Sequence, residues 1–131
     1  MPKGFTLGKQ ERLKSRKALE LLFREGRSFT VFPYRIVYRQ VPEGLLFSTG
    51  VSTRHFKKAV DRNRIKRQTR EGYRVLKPRL RDTLAGKAAG LHLFFTFTAK
   101  EKMDSGTLHA AVEKAIDKLI RILHENNAPH T

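Results

Sequence analysis

The segment RNRIKRQTRE, residues 62–71, carries the residues best placed to do chemistry. At about 100° per residue on a helix, Arg62, Lys66 and Arg70 follow one another at i, i+4 and i+8. Asn63, Arg67 and Arg74 extend that arc, while Arg64 points elsewhere. Ile65, Thr69, Gly72 and Leu76 fall on a separate narrow stripe, and Gly72 there suggests close approach of the helix to a sheet. Within residues 59–74 only Asp61 and Glu71 oppose six cations. A solvated helix face ordinarily mixes signs in i,i+4 acid–base pairs. Like charges stacked at that spacing cost stability unless an anion lies between them. Arginine outnumbers lysine here, which suits bidentate contact with phosphate. This face is built to hold a polyanion.

Catalysis by the chain alone finds little support. The five histidines, at 55, 92, 109, 124 and 130, show no metal-ligand spacing. Glu113 and Asp117 share a helix face, but Lys114, Lys118 and Arg121 around them point to ion pairing. Gly86-Lys87 resembles a phosphate loop only in those two residues: Ala88 stands where Ser or Thr is needed and Arg81 where the first glycine belongs. No catalytic residue, metal ligand, protein-bound cofactor or small-molecule substrate is therefore expected.

Composition agrees. The 131 residues suggest one domain spanning 1–131, with flexible tails over 1–8 and 126–131. The net charge is +16, an excess that destabilises a compact chain unless its partner is anionic, and nucleic acid is the commonest such partner. The charge is also segregated. Residues 54–81 hold twelve Lys/Arg against two acids, whereas residues 101–125 hold four against five. Cysteine is absent, which excludes disulfides and fits a reducing, cytoplasmic compartment. No apolar run approaches the roughly 20 residues of a membrane helix.

The elements that must position the basic stretch follow from periodicity. Ser15 caps a helix to about Glu25, with Gly26 as its stop. FTVFPYRIVYRQV, 29–41, reads as extended and broken at Pro33. PEG at 42–44 is a turn into LLFSTGVST, the second arm of a hairpin. A helix runs from about Phe56 or Lys57 to Leu76, before Pro78, and residues 78–90 form a loop. LHLFFTF, 91–97, is a buried strand. A last helix, about 105–125, carries the stripe Leu108, Ala111, Val112, Ala115, Ile116, Leu119 and Ile120. The order α-β-β-β-α-β-α predicts an α+β domain with one mostly antiparallel four-stranded sheet and helices packed on it.

Two further surfaces complement the basic helix. Arg12, Arg16, Leu19 and Phe23 share an arc of the first helix, and Tyr34, Ile36, Tyr38 and Gln40 share one strand face. Aromatics beside cations suit stacking and backbone neutralisation on single-stranded RNA, although Phe23 and Tyr38 are equally readable as core.

RNRIKRQTRE, within KKAVDRNRIKRQTREGYR, closely resembles the RNR signature of the bacterial ribonuclease P protein subunit. RLKSRKALELLFREGRSF is similar to that family's first helix, and GVSTRHFKKAV lies where the family has a strand leading into the RNR helix. The resemblance covers nearly the whole chain. It implies a protein cofactor of a ribozyme that hydrolyses a phosphodiester in precursor tRNA, releasing the 5′ leader. It also implies that the catalytic RNA carries the Mg2+ ions, and that the sheet contains a left-handed β-α-β crossover. Carried over, Arg62, Asn63, Arg64, Lys66, Arg67 and Arg70 would contact that RNA. A cleft drawing on Arg12, Arg16, Leu19, Phe23, Tyr38 and His55 would hold the leader. Leu19 stands where Phe is common and His55 where Lys is common. The rival is an RNA-binding protein of another assembly, such as a ribosomal protein. A sequence-specific DNA binder is weaker, for want of a helix-turn-helix or zipper context.

Overall fold

The computed structural model describes residues 12–13, 15–87 and 89–126. The tail expected over 1–8, and that over 126–131 apart from Asn126, lie outside the described residues. The elements run α1 (Arg16–Glu25), β1 (Arg27–Val31), β2 (Tyr34–Val41), β3 (Leu45–Val51), α2 (Ala59–Ala85), β4 (Gly90–Phe97) and α3 (Ser105–Asn126). This is the expected α+β order. No described helix is long and apolar enough to cross a membrane.

The sheet order is β1-β2-β4-β3, with β1–β2 and β2–β4 antiparallel and β3–β4 parallel. The hairpin expected across residues 42–44 does not form; the hairpin is β1–β2, turning at Phe32 and Pro33. Between β2 and β3 lies β4, the strand whose alternate residues Leu91, Leu93, Phe95 and Phe97 are all buried. A strand covered on both faces gains most from a central position, and β4, with that buried row on one face and Phe94 packed on the other, takes it. Gly44, at φ +92°, turns the chain away from β2, and its carbonyl accepts from Leu91 N–H at 2.7 Å. Gly90 permits this approach: a Cβ there would stand 2.3 Å from the Glu43 carbonyl carbon.

Alternation along the strands divides the core in two. Tyr34, Ile36, Tyr38, Phe47, Leu91, Leu93, Phe95 and Phe97 face α2 and α3, while Val37, Leu46 and Phe94 face α1 and Leu13. Ser15 caps α1 by accepting from Ala18 N–H at 3.2 Å. Gly26 does end α1, but in extended conformation, not as a left-handed stop. It is glycine because a Cβ would meet the Leu22 and Tyr38 carbonyl oxygens at 2.4 and 2.8 Å.

Helix α2 does not stop before Pro78; it continues to Ala85. An interior proline costs a helix about 3 kcal/mol. Leu80 and Leu84 beyond it are buried in the main core, and full burial of such side chains is worth about 1.5–3 kcal/mol each. Packing outweighs the local breaker. Arg79 then ties this half of α2 to α3 through Asp117 and Glu113. Gly72 serves α3 instead of the sheet: a Cβ there would lie 2.9 Å from His109 Cδ2, and the His109 ring pairs with the Gln68 carbonyl at 3.1 Å.

Two contacts set the rotation of α2 on the sheet. Tyr73 stacks on Phe47 with ring centroids 4.0 Å apart. The Thr69 hydroxyl donates to Ile65 O and so accepts from the Tyr34 hydroxyl at 2.7 Å. Burial pushes the Tyr34 pKa up to about 12, against the smaller opposing effect of the Thr69 bond. The raised value means the folded state holds its proton where the unfolded chain has lost it. Stability from this group is therefore present below about pH 10 and lost as pH rises towards 12. Chemical denaturation at pH 8 and pH 11 checks this. Tyr34→Phe should cost about 1 kcal/mol at pH 8 and show a smaller loss than wild type between the two pH values.

Candidate nucleic-acid interface

The outward side of α2 presents Asn63, Arg64 and Arg67 to solvent, with Lys66, Arg70 and Arg74 half-buried beside them. The buried side is Ile65, Thr69, Gly72 and Tyr73, continuing through Lys77, Leu80 and Leu84. Arg62 departs from the expected face. Its guanidinium donates to the Phe56 and Lys57 carbonyls, both at 2.8 Å, and so holds the chain entering α2, whose N-cap Lys58 makes no side-chain cap bond. Arg62 is a brace. Arg64 lies with Asp61, Gln68 and Lys102, where the Asp61–Lys102 ion pair, at 2.8 Å, ties the start of α2 to the segment before α3. That bond, ahead of any other cause, holds the Asp61 carboxyl below its usual range.

Arg12 also stands elsewhere than expected. It bridges to Phe47 alongside β3, with Leu13 N–H donating to Phe47 O at 2.9 Å. From there its charge reaches Arg70. The Arg70 pKa is lowered first by burial, then by Arg12 and Arg67, with Glu71 opposing. Glu71 itself pairs with Arg67 at 3.8 Å. Three guanidiniums from two chain segments thus crowd together with one carboxylate among them. Such crowding is unfavourable in isolation and favours an anion with several acceptor oxygens.

On the opposite face of the sheet, α1 buries Leu22 against Leu13 and Val37, with Leu19 and Ala18 packed alongside. Phe23 is 52% exposed and meets Phe94 edge-on, ring centroids 5.0 Å apart. Arg16 is exposed at the start of α1, and His55 is exposed in the turn 53–55. Tyr38 does not join Phe23. It is 6% exposed, on the α2/α3 face, tilted against Phe29 at 5.9 Å. Period two placed Tyr38 with Tyr34 correctly, but nothing in the sequence says which face α1 covers. The aromatic that does meet Phe23 is Phe94. Its signal lay in HFT, residues 92, 94 and 96, a less uniformly apolar alternation than Leu91, Leu93, Phe95 and Phe97.

His92 shares this face, opposite Arg39, which pairs with Glu25 of α1 at 3.8 Å. Burial, then the Arg39 charge, lowers the His92 pKa, and its Nδ1 is buried without a hydrogen-bond partner. Both Glu113 and Asp117 are engaged by Arg79. Among the described residues no group of three or more His, Asp or Glu side chains could hold a metal ion.

Residues 7–121 match the family model of ribonuclease P. A ribonuclease P protein component from Porphyromonas gingivalis is 38% identical over 125 residues, covering 92% of this chain and 89% of the relative. The ribonuclease P protein from Thermotoga maritima superposes with a TM-score of 0.65 at 23% identity, covering 82% of this chain and 96% of that one. The Staphylococcus aureus protein does so with a TM-score of 0.62 at 18% identity, covering 85% and 96%.

The contrast between brace and outward cation is measurable without any ligand. Arg62→Ala removes two charge-assisted bonds and should lower unfolding free energy by about 1–2 kcal/mol. Arg67→Ala, which loses only an exposed i,i+4 pair, should cost no more than about 0.5 kcal/mol. Equal costs in urea denaturation would show that Arg62 is not a brace.

Proposed function

The chain belongs to the ribonuclease P protein family, and from that premise we propose that it is the protein partner of a catalytic RNA in tRNA 5′ maturation. It binds the ribonuclease P RNA and the 5′ leader of precursor tRNA, in the cytoplasm, and assists hydrolytic removal of the leader. The observation that carries this reading is the outward face of α2, where Arg67 and Arg70 crowd with Arg12 and only Glu71 opposes them.

The chain's part is electrostatic and positional. Asn63, Arg64, Lys66, Arg67 and Arg70 contact phosphates of the catalytic RNA, and neutralising them lets two polyanions approach. Arg62 contributes by holding the entry to α2. Arg12, beside Arg70, belongs with this surface and not with the leader. The catalytic centre, with the Mg2+ ions it requires, lies in the RNA. No step is assigned to a metal on the protein.

The leader lies against α1 and the sheet face it partly covers. Phe23, with Phe94 behind it, offers a stacking surface, and Arg16 and His55 flank the phosphodiester backbone. Leu19 shapes the floor of α1 without stacking. Tyr38, buried on the other face, takes no part.

Reconstitution tests the main reading. The protein alone should leave precursor tRNA intact, whereas protein with the ribonuclease P RNA of the same genome should cleave it at moderate Mg2+. Robust cleavage by RNA-free protein overturns the proposal. The leader contact has its own test in the holoenzyme. Base–aromatic stacking is worth about 1–3 kcal/mol per base, so Phe23→Ala should weaken precursor binding roughly five-fold or more relative to mature tRNA. Equal weakening of both would place Phe23 in packing instead.

A further inference from the structure

Because α2 continues through Pro78, a regular row of arginines exists that a helix ending at Leu76 would not have. Arg67, Arg74 and Arg81 recur every seven residues, about 20° short of two full turns and about 10.5 Å along the axis at each step. They form one ridge roughly 21 Å long on the side of α2 away from the core. Arg67 and Arg81 are exposed, and Arg74 is half-buried. Asn63 and Arg70 lie along the same ridge, with Glu71 and Asp82 on one flank. Arg79 points to the other side of the helix, where Asp117 and Glu113 of α3 engage it.

A second observation marks the middle of the ridge. Arg74 Nε is buried without a hydrogen-bond partner. A guanidinium N–H withdrawn from water and left unpaired is costly, unless an acceptor arrives with a ligand. The two flanking arginines of the row stand one heptad away on either side.

We infer that the RNA-contacting surface of α2 extends beyond the RNR segment, through Arg74 to Arg81. The partner RNA then runs along the helix and sets phosphates against at least three successive arginines, instead of meeting the first half of α2 alone. This rests on the reading of α2 as an RNA-binding helix. The surface is rigid along its length: Leu80 and Leu84 seat the second half in the core just as Ile65 and Tyr73 seat the first. A rigid row at constant spacing matches a regular backbone better than a flexible loop, since little ordering is required on the protein side.

The test is the salt dependence of binding to the cognate ribonuclease P RNA, with each variant checked for folding by circular dichroism. Each phosphate contact contributes about 0.7–0.9 to the slope of log affinity against log salt. Arg67→Gln, Arg74→Gln and Arg81→Gln should each reduce the slope by close to one unit, and Arg79→Gln should leave it unchanged. A reduced slope for Arg67→Gln with an unchanged slope for Arg81→Gln confines the contact to the RNR segment and overturns the extension alone. Unchanged slopes for all three remove the Arg67–Arg74–Arg81 ridge as an RNA contact and overturn the extension. Equal reductions for Arg79→Gln and Arg81→Gln would show loss of general charge, not a ridge contact, and would equally overturn it.

Discussion

The exposure of the basic side of α2 depends on the rotational setting of that helix. A helix with cations on one side is useful only if that side is held outward. The Tyr34–Thr69 hydrogen bond and the Tyr73–Phe47 stack hold it there. A turn of even 40° would carry Arg70 towards the sheet and Thr69 away from Tyr34, stranding a tyrosine hydroxyl in the core. The cost of an unmade buried hydrogen bond, about 1–3 kcal/mol, therefore guards the orientation of the charges.

That setting also explains how so basic a chain tolerates its charge. Repulsion among Arg12, Arg67 and Arg70 is confined to one side of α2, while the side facing α3 is balanced by Arg79 with Asp117 and Glu113. Glu113 and Asp117, two of the five acids of residues 101–125, are thus partners of α2's structural side, and part of the separation of charge along the sequence becomes a separation across one helix. The two sheet faces divide the remaining work. One carries the core that supports α2 and α3; the other, under α1, keeps Phe23 and Phe94 near solvent.

Much of this was legible in residue types. The Ser15 cap, the α3 stripe from Leu108 to Leu119 and the Ile65–Thr69–Gly72 seam depend on local periodicity, which the sequence displays directly. The failures share a different cause. Pro78 is a local breaker overruled by the distant packing of Leu80 and Leu84. The turn at 42–44 has hairpin chemistry, yet β4, some fifty residues on, displaces β3 from β2 because its buried row Leu91, Leu93, Phe95 and Phe97 claims the centre. The resemblance implies Tyr38 and Arg12 for the cleft, but their positions are decided by which face α1 covers and by pairing with β3. Arg62 looked like one more ligand for phosphate; only the structure reveals the Phe56 and Lys57 carbonyls within its reach. Gly26 was read as a conformational stop when the need was space.

The insertion of β4 has a bearing on how the chain is made. Synthesis delivers β1 and β2 first, and they can pair as soon as both have left the ribosome. Strand β3 follows, but its neighbours in the finished sheet are β4 and the short stretch around Arg12 and Leu13. Until Gly90–Phe97 emerges, after all 27 residues of α2, the side of β3 that β4 will occupy is bare and Phe47 has only part of its final surroundings. Unpaired strand edges of this kind invite the wrong partner. The basic helix that intervenes therefore emerges before the sheet that will fix it is complete.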